Sequence, residues 1–238
     1  MPILKLFLYC FVYLLLYFPS KPYALGWSGS QLNNQACQGN EQGFGPFDYE
    51  LVIRSKGTPL WKSARLWEVN KIHYGKGLNL LKDKGINKFT FNPIQNEFDY
   101  TLRAFPNHTE ALYSTINLEL KRISMNKIKK ENLSPFKTPP ECYLQRALTL
   151  KPQQANLHLL FAIYLQKLKK KTLAKHYYLN ALRFGPSNPE INYNYGLLLV
   201  DMRDIKEAKK QAKIAKKGNY PLKGLENKIN SLSKELDR

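Results

Sequence analysis

Five pairs of small or ring-closed residues recur along this chain at one interval. Ala147 and Ala181, Ala162 and Gly196, Ala174 and Ala208, Ala181 and Ala215, and Pro152 and Pro186 each stand 34 positions apart. A fixed interval means one local unit built more than once, and such units bury their apolar faces by stacking on one another. The interval also explains an echo. Residues 100–112, "YTLRAFPNHTEAL", and 180–193, "NALRFGPSNPEINY", both run from Leu-Arg through an aromatic and a proline to Asn and a new helical pattern. Thr101 lies 46 before Ala147, which is 34 plus 12, so the intervening unit carries a 12-residue insertion.

Residues 155–188, "ANLHLLFAIYLQKLKKKTLAKHYYLNALRFGPSN", resemble a complete tetratricopeptide (TPR) repeat, and 189–222, "PEINYNYGLLLVDMRDIKEAKKQAKIAKKGNYPL", resemble a second. The resemblance gives each recurring position a steric role. Ala162 and Gly196 let helix A of a repeat approach helix B. Ala174 and Ala208 sit where B crosses A, Ala181 and Ala215 face the next unit, and Tyr178 fills the gap between them. The proline stops helix B. In the last unit the closing proline has slipped past Tyr220 to Pro221. Leu222, Leu225, Ile229, Leu232 and Leu236 then share one face of a helix with a polar back, as a terminal cap should.

Upstream, "PECYLQRALTLKP" (140–152) reads as a helix B. Its helix A is expected at about 108–122, capped by Asn107 or Thr109, with the insertion in the basic loop "KRISMNKIKKENLSPFKTPP" (121–140). "GLNLLKDKG" (77–85) and "PIQNEFDYTLRAF" (93–105) supply a weaker first pair, preceded by "ARLWEVNKIHY" (64–74). The implied fold is all-α: a TPR-type helix-turn-helix superhelix of three to four helix pairs from Trp67 to Leu236, with a C-terminal capping helix and an irregular N-terminal arm. The expected segments are a leader at 1–26, the arm at 27–63, divergent helices at 64–138, clear repeats at 139–222 and the cap at 223–238. "FGPFDY", "DYTLRAFPNHTEAL", "ECYLQRAL" and "NYPLKGL" also resemble a group of exported bacterial TPR proteins of unestablished role.

The first 26 residues carry Lys5, then an unbroken apolar run from Leu6 to Phe18. Thirteen residues are short for a bilayer span and suit a secretory leader. Ala24 and Gly26 place small residues for cleavage before Trp27, and an uncleaved membrane anchor is the alternative. Cys10 follows Tyr9 rather than a small residue, so a lipoprotein anchor is not expected. Removal of the leader takes away Lys5 and Lys21 and leaves Cys37 and Cys142. Two cysteines in an exported protein favour a disulfide; two unpaired thiols, with Cys142 buried, are the alternative. The formal charge is +19, or +17 without the leader, and it is mostly lysine. Such a surface attracts polyanions, but lysine is the weaker residue for bidentate base or phosphate recognition. Outside the cytoplasm, lipid or wall polymer is the expected anion and nucleic acid is not.

No catalytic pattern appears. His73, His108, His158 and His176 form neither HExxH nor a zinc spacing, and there is no P-loop, GxSxG or GxGxxG. A site between His158 and His176 is conceivable, but packing accounts for both. Asp201, Asp204 and Glu207 match the polar turn of a repeat. "NHT" (107–109) and "NLS" (132–134) are glycosylation sequons only in a eukaryotic secretory host. No metal, cofactor or catalytic role is expected.

Binding remains. The resemblance places Asn156, Leu159, Ile163, Gln166, Lys167, Glu190, Tyr193, Asn194, Leu197 and Asp201 on the concave face formed by the A helices. Asn194 occupies a position used by TPR carboxylate clamps. Leu159 and Ile163 stand where a clamp needs Lys and Asn, which weighs against clamping. A groove mixing Leu, Ile and Tyr suits an amphipathic or extended peptide. Expected functions are therefore a non-catalytic scaffold for a protein or peptide, a Lys-rich binder of anionic polymer or membrane, or an accessory subunit of an envelope enzyme.

Overall fold

The computed structural model describes residues 25–236, and all regular structure among them is helical apart from one bridge between Ser30 and Ala36. The leader read at 1–26 lies almost wholly outside the described residues. Two short helices, α1 (Tyr49–Arg54) and α2 (Pro59–Ala64), fall in the arm. Helix α3 begins at Leu66–Val69, passes through a π-helical turn at Asn70–Tyr74 and continues as Gly75–Lys84. There follow α4 (Phe91–Ala104), α5 (Thr109–Lys129), α6 (Pro140–Leu150), α7 (Ala155–Lys167), α8 (Lys171–Phe184), α9 (Pro189–Asp201), α10 (Ile205–Lys217) and α11 (Gly224–Leu236). Helix α3 pairs with α4, α5 with α6, α7 with α8 and α9 with α10, while α5, α7, α9 and α11 stack in order along one face.

The repeat is visible bond by bond. Lys169 and Arg203, 34 apart, both take left-handed backbone conformations, with φ of 62° and 65°. The following amides close the same turn: Lys170 N to Leu165 O at 2.9 Å and Asp204 N to Leu199 O at 2.9 Å. The echoed phrases also match. The backbone N–H groups of Phe105, Lys151 and Gly185 bond the carbonyls of Thr101, Ala147 and Ala181 at 2.8, 2.8 and 2.9 Å. The A and B helices differ in patterning because they differ in neighbours. α7 and α9 lie between other helices and bury apolar residues on most sides, whereas α8 and α10 bury little beyond Ala174, Tyr178 and Ala181, and Ala208, Gln211 and Ala215. Their lysines occupy the outer faces, as an amphipathic surface helix requires.

The 12-residue insertion is not simply a basic loop. α5 has 21 residues against 13 in α7, so helix continues through much of 121–140. It starts at His108, whose Nδ1 accepts from Ala111 N at 3.3 Å; neither Asn107 nor Thr109 is the cap. The added turns have a partner. Met125 of α5 and Leu133 and Phe136 of the returning connector are buried against Phe91, Ile94 and Phe98 of α4. Asn126 fixes the return, exchanging hydrogen bonds of 2.8 Å with both the N–H and the C=O of Leu133.

The arm is irregular to Asp48 and then forms α1 and α2. Asp48 caps α1, and Thr58 caps α2 with Pro59 in its first turn. It is fastened along α6. Cys37 is bonded to Cys142 across 105 residues, with Cα atoms 5.4 Å apart. Gln145 exchanges hydrogen bonds with the backbone of Ser30 at 3.1 and 2.8 Å, and Leu32 N donates to Glu141 at 3.0 Å. Arg146, 2% exposed, joins arm to helices. Its Nη1 donates to Leu102 O at 3.0 Å, its Nε to Leu25 O at 2.9 Å and its Nη2 to Gln42, with the guanidinium 5.1 Å from the Trp27 ring. Gly45 shows how close the arm runs. At φ 86° a Cβ there would lie 2.5 Å from the Ala104 carbonyl oxygen, so the site demands glycine.

Candidate functional site

The stacked A helices leave a groove of about 420 Å³. Its floor is Leu159, Leu160 and Ile163 of α7; its walls are Tyr74 of α3, Thr109 and Tyr113 of α5 and Asn156; Glu110 and Glu190 stand at its rim. Four of the ten residues read from the sequence meet there: Asn156, Leu159, Ile163 and Glu190. Leu159 is nearly covered by neighbouring side chains and contributes floor rather than a reaching contact.

The other six are arranged differently. Tyr193 is 7% exposed and turned toward the cap. Its ring lies 4.6 Å from that of Tyr220, and it lines a separate cavity of about 270 Å³ with residues of α10 and α11. Asn194 donates to Glu190 O of its own helix at 2.9 Å. Gln166 donates to Asp201 at 2.9 Å and accepts from the Tyr178 hydroxyl at 2.8 Å, tying consecutive repeats together. Asp201 also offers its carbonyl to Lys171. Lys167 is exposed, Leu197 is half-buried, and neither lines this groove.

Tyr74, Thr109, Glu110, Tyr113 and Leu160 were not legible in advance. The first four belong to the divergent helices, where no 34-residue register assigns a face; Leu160 lies in the clear repeat of α7, beside the Leu159 that the repeat pattern did place on the concave face. Exposure is the distinguishing sign at Tyr113, a large aromatic left 53% accessible beside an apolar floor.

The groove's electrostatics run against those of the molecule. Among the described residues, the charged side chains that line it are Glu110 and Glu190, in a chain with a net charge of +19. Glu110 Oε2 lies 3.1 Å from Nδ1 of His108. A hydrogen bond from that imidazole, opposed by partial burial, pulls the Glu110 carboxyl below its ordinary value. Nδ1 cannot donate to Glu110 while accepting from Ala111. Glu110 is more than half exposed, however, and is an anion at neutral pH under either arrangement. His108 itself is buried, stacked 4.0 Å from Tyr49 and bonded through Nε2 to Asn70 at 3.0 Å, so it supports the wall rather than entering the groove. Burial raises the Tyr74 phenol, whose hydroxyl is 3.1 Å from Ser114 Oγ.

Among the described residues no group of three or more His, Cys, Asp and Glu could hold a metal ion. His158 Nε2 donates to Pro152 O at 2.8 Å and His176 pairs with Asn180 at 3.2 Å, so the two imidazoles are engaged separately. Among the same residues no helix is long and apolar enough to cross a membrane.

The chain has a TPR-type helical-repeat fold. No protein-family model matches it, and neither does any curated protein. Solved structures do match. A "MamA RS-1 ArsTM double mutant" is 17% identical, with a TM-score of 0.43, covering 71% of this chain and 91% of its own. MamA from residue 41 to its end, from Desulfovibrio magneticus RS-1, is 17% identical with a TM-score of 0.36, covering 79% and 94%. The fold class rests on this chain's own repeating geometry.

Proposed function

We propose that the protein is a non-catalytic adaptor that docks a short apolar segment of a partner protein, carrying Lys or Arg, in the groove over Leu159, Leu160 and Ile163. The observation that carries this reading is the pairing of an apolar floor with a purely acidic rim on a strongly basic chain. Apolar side chains of a bound segment gain from leaving water, and its cations gain from Glu110 and Glu190. The same carboxylates repel nucleic acid or anionic polymer from this groove. We place the activity in an exported compartment, supported by the leader-like residues 1–26 and by the Cys37–Cys142 bond, a link that persists where thiols are not kept reduced.

The test is fluorescence anisotropy with two amphipathic peptides of equal hydrophobicity, one with Lys and Arg at its polar positions and one with Glu. The basic peptide is expected to bind more tightly. Glu110→Gln with Glu190→Gln should weaken it about tenfold at low salt. Ile163→Asp should abolish its binding while leaving the melting of the fold cooperative. Equal binding of both peptides, or an Ile163→Asp protein that binds as the parent does, refutes the assignment.

A further inference from the structure

Away from the groove, the far ends of α3 and α5 come together and carry the most exposed large apolar side chains among the described residues. Phe89, in the turn from α3 to α4, is 77% exposed, and Ile128, in the extension of α5, is 75% exposed. Ile128 does not stand alone, and Phe89 lies three residues beyond Ile86, outside the lining of the depression that Ile128 shares. Leu81, Gly85 and Ile86 on the first element and Lys121, Ser124, Met125, Ile128 and Lys129 on the second wall one open depression of about 430 Å³. Phe89 is held on the rim of that turn: its N–H donates to Asn87 Oδ1 at 2.9 Å, and the Thr90 hydroxyl closes the turn on Gly85 O at 2.7 Å.

The charges around these residues are mostly lysine. Lys82, Lys84, Lys88, Lys121, Lys127, Lys129 and Lys130 are all exposed, and none is paired with a carboxylate among the described residues. Asp83 and Glu131 are the opposing charges in the two segments. Lys88 Nζ sits 5.0 Å from the Phe89 ring centroid, so cation and ring form one amphipathic unit. The turns that bear Ile128 and its lysines exceed what a repeat needs, since α5 is 21 residues and α7 is 13.

We propose that this end of the molecule is a docking surface for an anionic lipid bilayer, with Phe89 and Ile128 entering the interface and the lysines resting on the headgroups. A soluble polyanion would be satisfied by charge and gives no reason to expose Phe89 and Ile128. A bilayer accepts both, because its interface takes apolar side chains while its anionic surface attracts lysine. The Lys-rich outer faces of α8 and α10 expose Leu173, Leu179 and Ile214 less, at 41, 49 and 44%, and are not part of the surface.

The test is sedimentation of the protein with phosphatidylcholine vesicles, with and without about one-third phosphatidylglycerol, at about 0.15 M salt. Binding is expected to the anionic vesicles and to fall as salt rises. Phe89→Ser with Ile128→Ser should reduce partitioning at least about tenfold. Lys88→Gln, Lys127→Gln and Lys129→Gln should each reduce it about fivefold. Lys206→Gln, Lys209→Gln and Lys213→Gln on α10 should change it less than about twofold in combination, because these lysines lie outside the docking surface. All these positions are exposed, so the fold tolerates the changes. Equal binding to neutral vesicles, unchanged partitioning of the Phe89/Ile128 double variant, or equal sensitivity to the α10 lysines would each overturn the proposal. The Ile163→Asp variant of the groove should sediment as the parent does, which separates this surface from the peptide site.

Discussion

Burial leaves the His158 imidazole with one hydrogen bond where it has capacity for two. Nε2 reaches Pro152 O, but Nδ1 is enclosed without a partner beside Phe184, whose ring lies 5.3 Å away. Burial pushes the imidazole below its ordinary value; the Pro152 carbonyl pulls it partly back, and the charge of His176 adds to the downward shift. The unfolded chain takes up a proton at about 6.5, before the folded one does, so folding is disfavoured as pH falls through that value toward the folded pKa. The contribution is complete above the window and lost within it. His158→Phe keeps the stacking and removes the titration. The parent's urea midpoint should therefore drop more between about pH 7.5 and pH 5 than the variant's. Parallel pH profiles would show that His158 charges as readily inside the fold as outside. Arg146 presents the opposite case. Burial lowers its guanidinium to about 10, yet it stays charged at neutral pH because carbonyl and amide oxygens surround its nitrogens.

At the level of helices, small residues at the repeat interval mark real close approaches, but not always to the expected neighbour. Gly196, read as the contact between α9 and α10, faces the cap instead: a Cβ there would lie 2.5 Å from Leu225 Cδ2. Leu225 is 1% exposed and cannot swing away. Gly196→Ala gains about 1 kcal/mol of helix propensity and loses roughly 1–3 to overpacking, so a net loss is expected. Leu225→Ala alone should cost about 2–5 kcal/mol. The two combined should cost at least about 1 kcal/mol less than their sum, because the new methyl enters the space the leucine leaves. Strict additivity in chemical denaturation would mean the two do not touch. The case also shows what a sequence can carry. Residues 155–222 were legible because each helix repeats a spacing, and the cap that follows because Leu222, Leu225, Ile229, Leu232 and Leu236 share one helical face. The left-handed turns at Lys169 and Arg203 follow from that spacing although neither residue is a glycine. Tyr74 and Tyr113 were not legible as groove walls, since α3 and α5 come from units with no register to assign a face. The helical continuation of α5 was hidden for another reason. The prolines at 135, 139 and 140 mark an interruption, but they do not show that Lys121–Lys129 precedes it as helix, with Leu133 and Phe136 returning to cover it.

Over the whole molecule, the fold is a helical array with an arm fastened to it. From α4 to α11 each helix contributes to one continuous apolar cluster. The arm, α1 and α2 are held by separate fastenings, among them the disulfide, the Gln145–Ser30 pair, Arg146, the bonds of Tyr49 N to Asn107, Asn40 to Asp99 and Gln154 to Glu50, the Lys151–Asp48 ion pair, and a small cluster around Val52, Leu66 and Phe105. The disulfide closes a loop of 105 residues, which on the chain-entropy account contributes roughly 4–5 kcal/mol. Stacked repeats hold their stability in nearest-neighbour contacts, so loss of the bond should not spread evenly. Cys37→Ser with Cys142→Ser should accelerate amide exchange through the arm and the outer side of α6, by factors that reach a thousandfold if the full contribution is local. Protection in α7 to α10 should stay within about threefold, and basic-peptide binding should weaken only through loss of the α3 and α5 walls. Hydrogen exchange read by mass spectrometry resolves these segments. A uniform rise from Trp27 to Leu236 would make the chain one cooperative unit, with the array depending on the arm as much as the arm depends on the array.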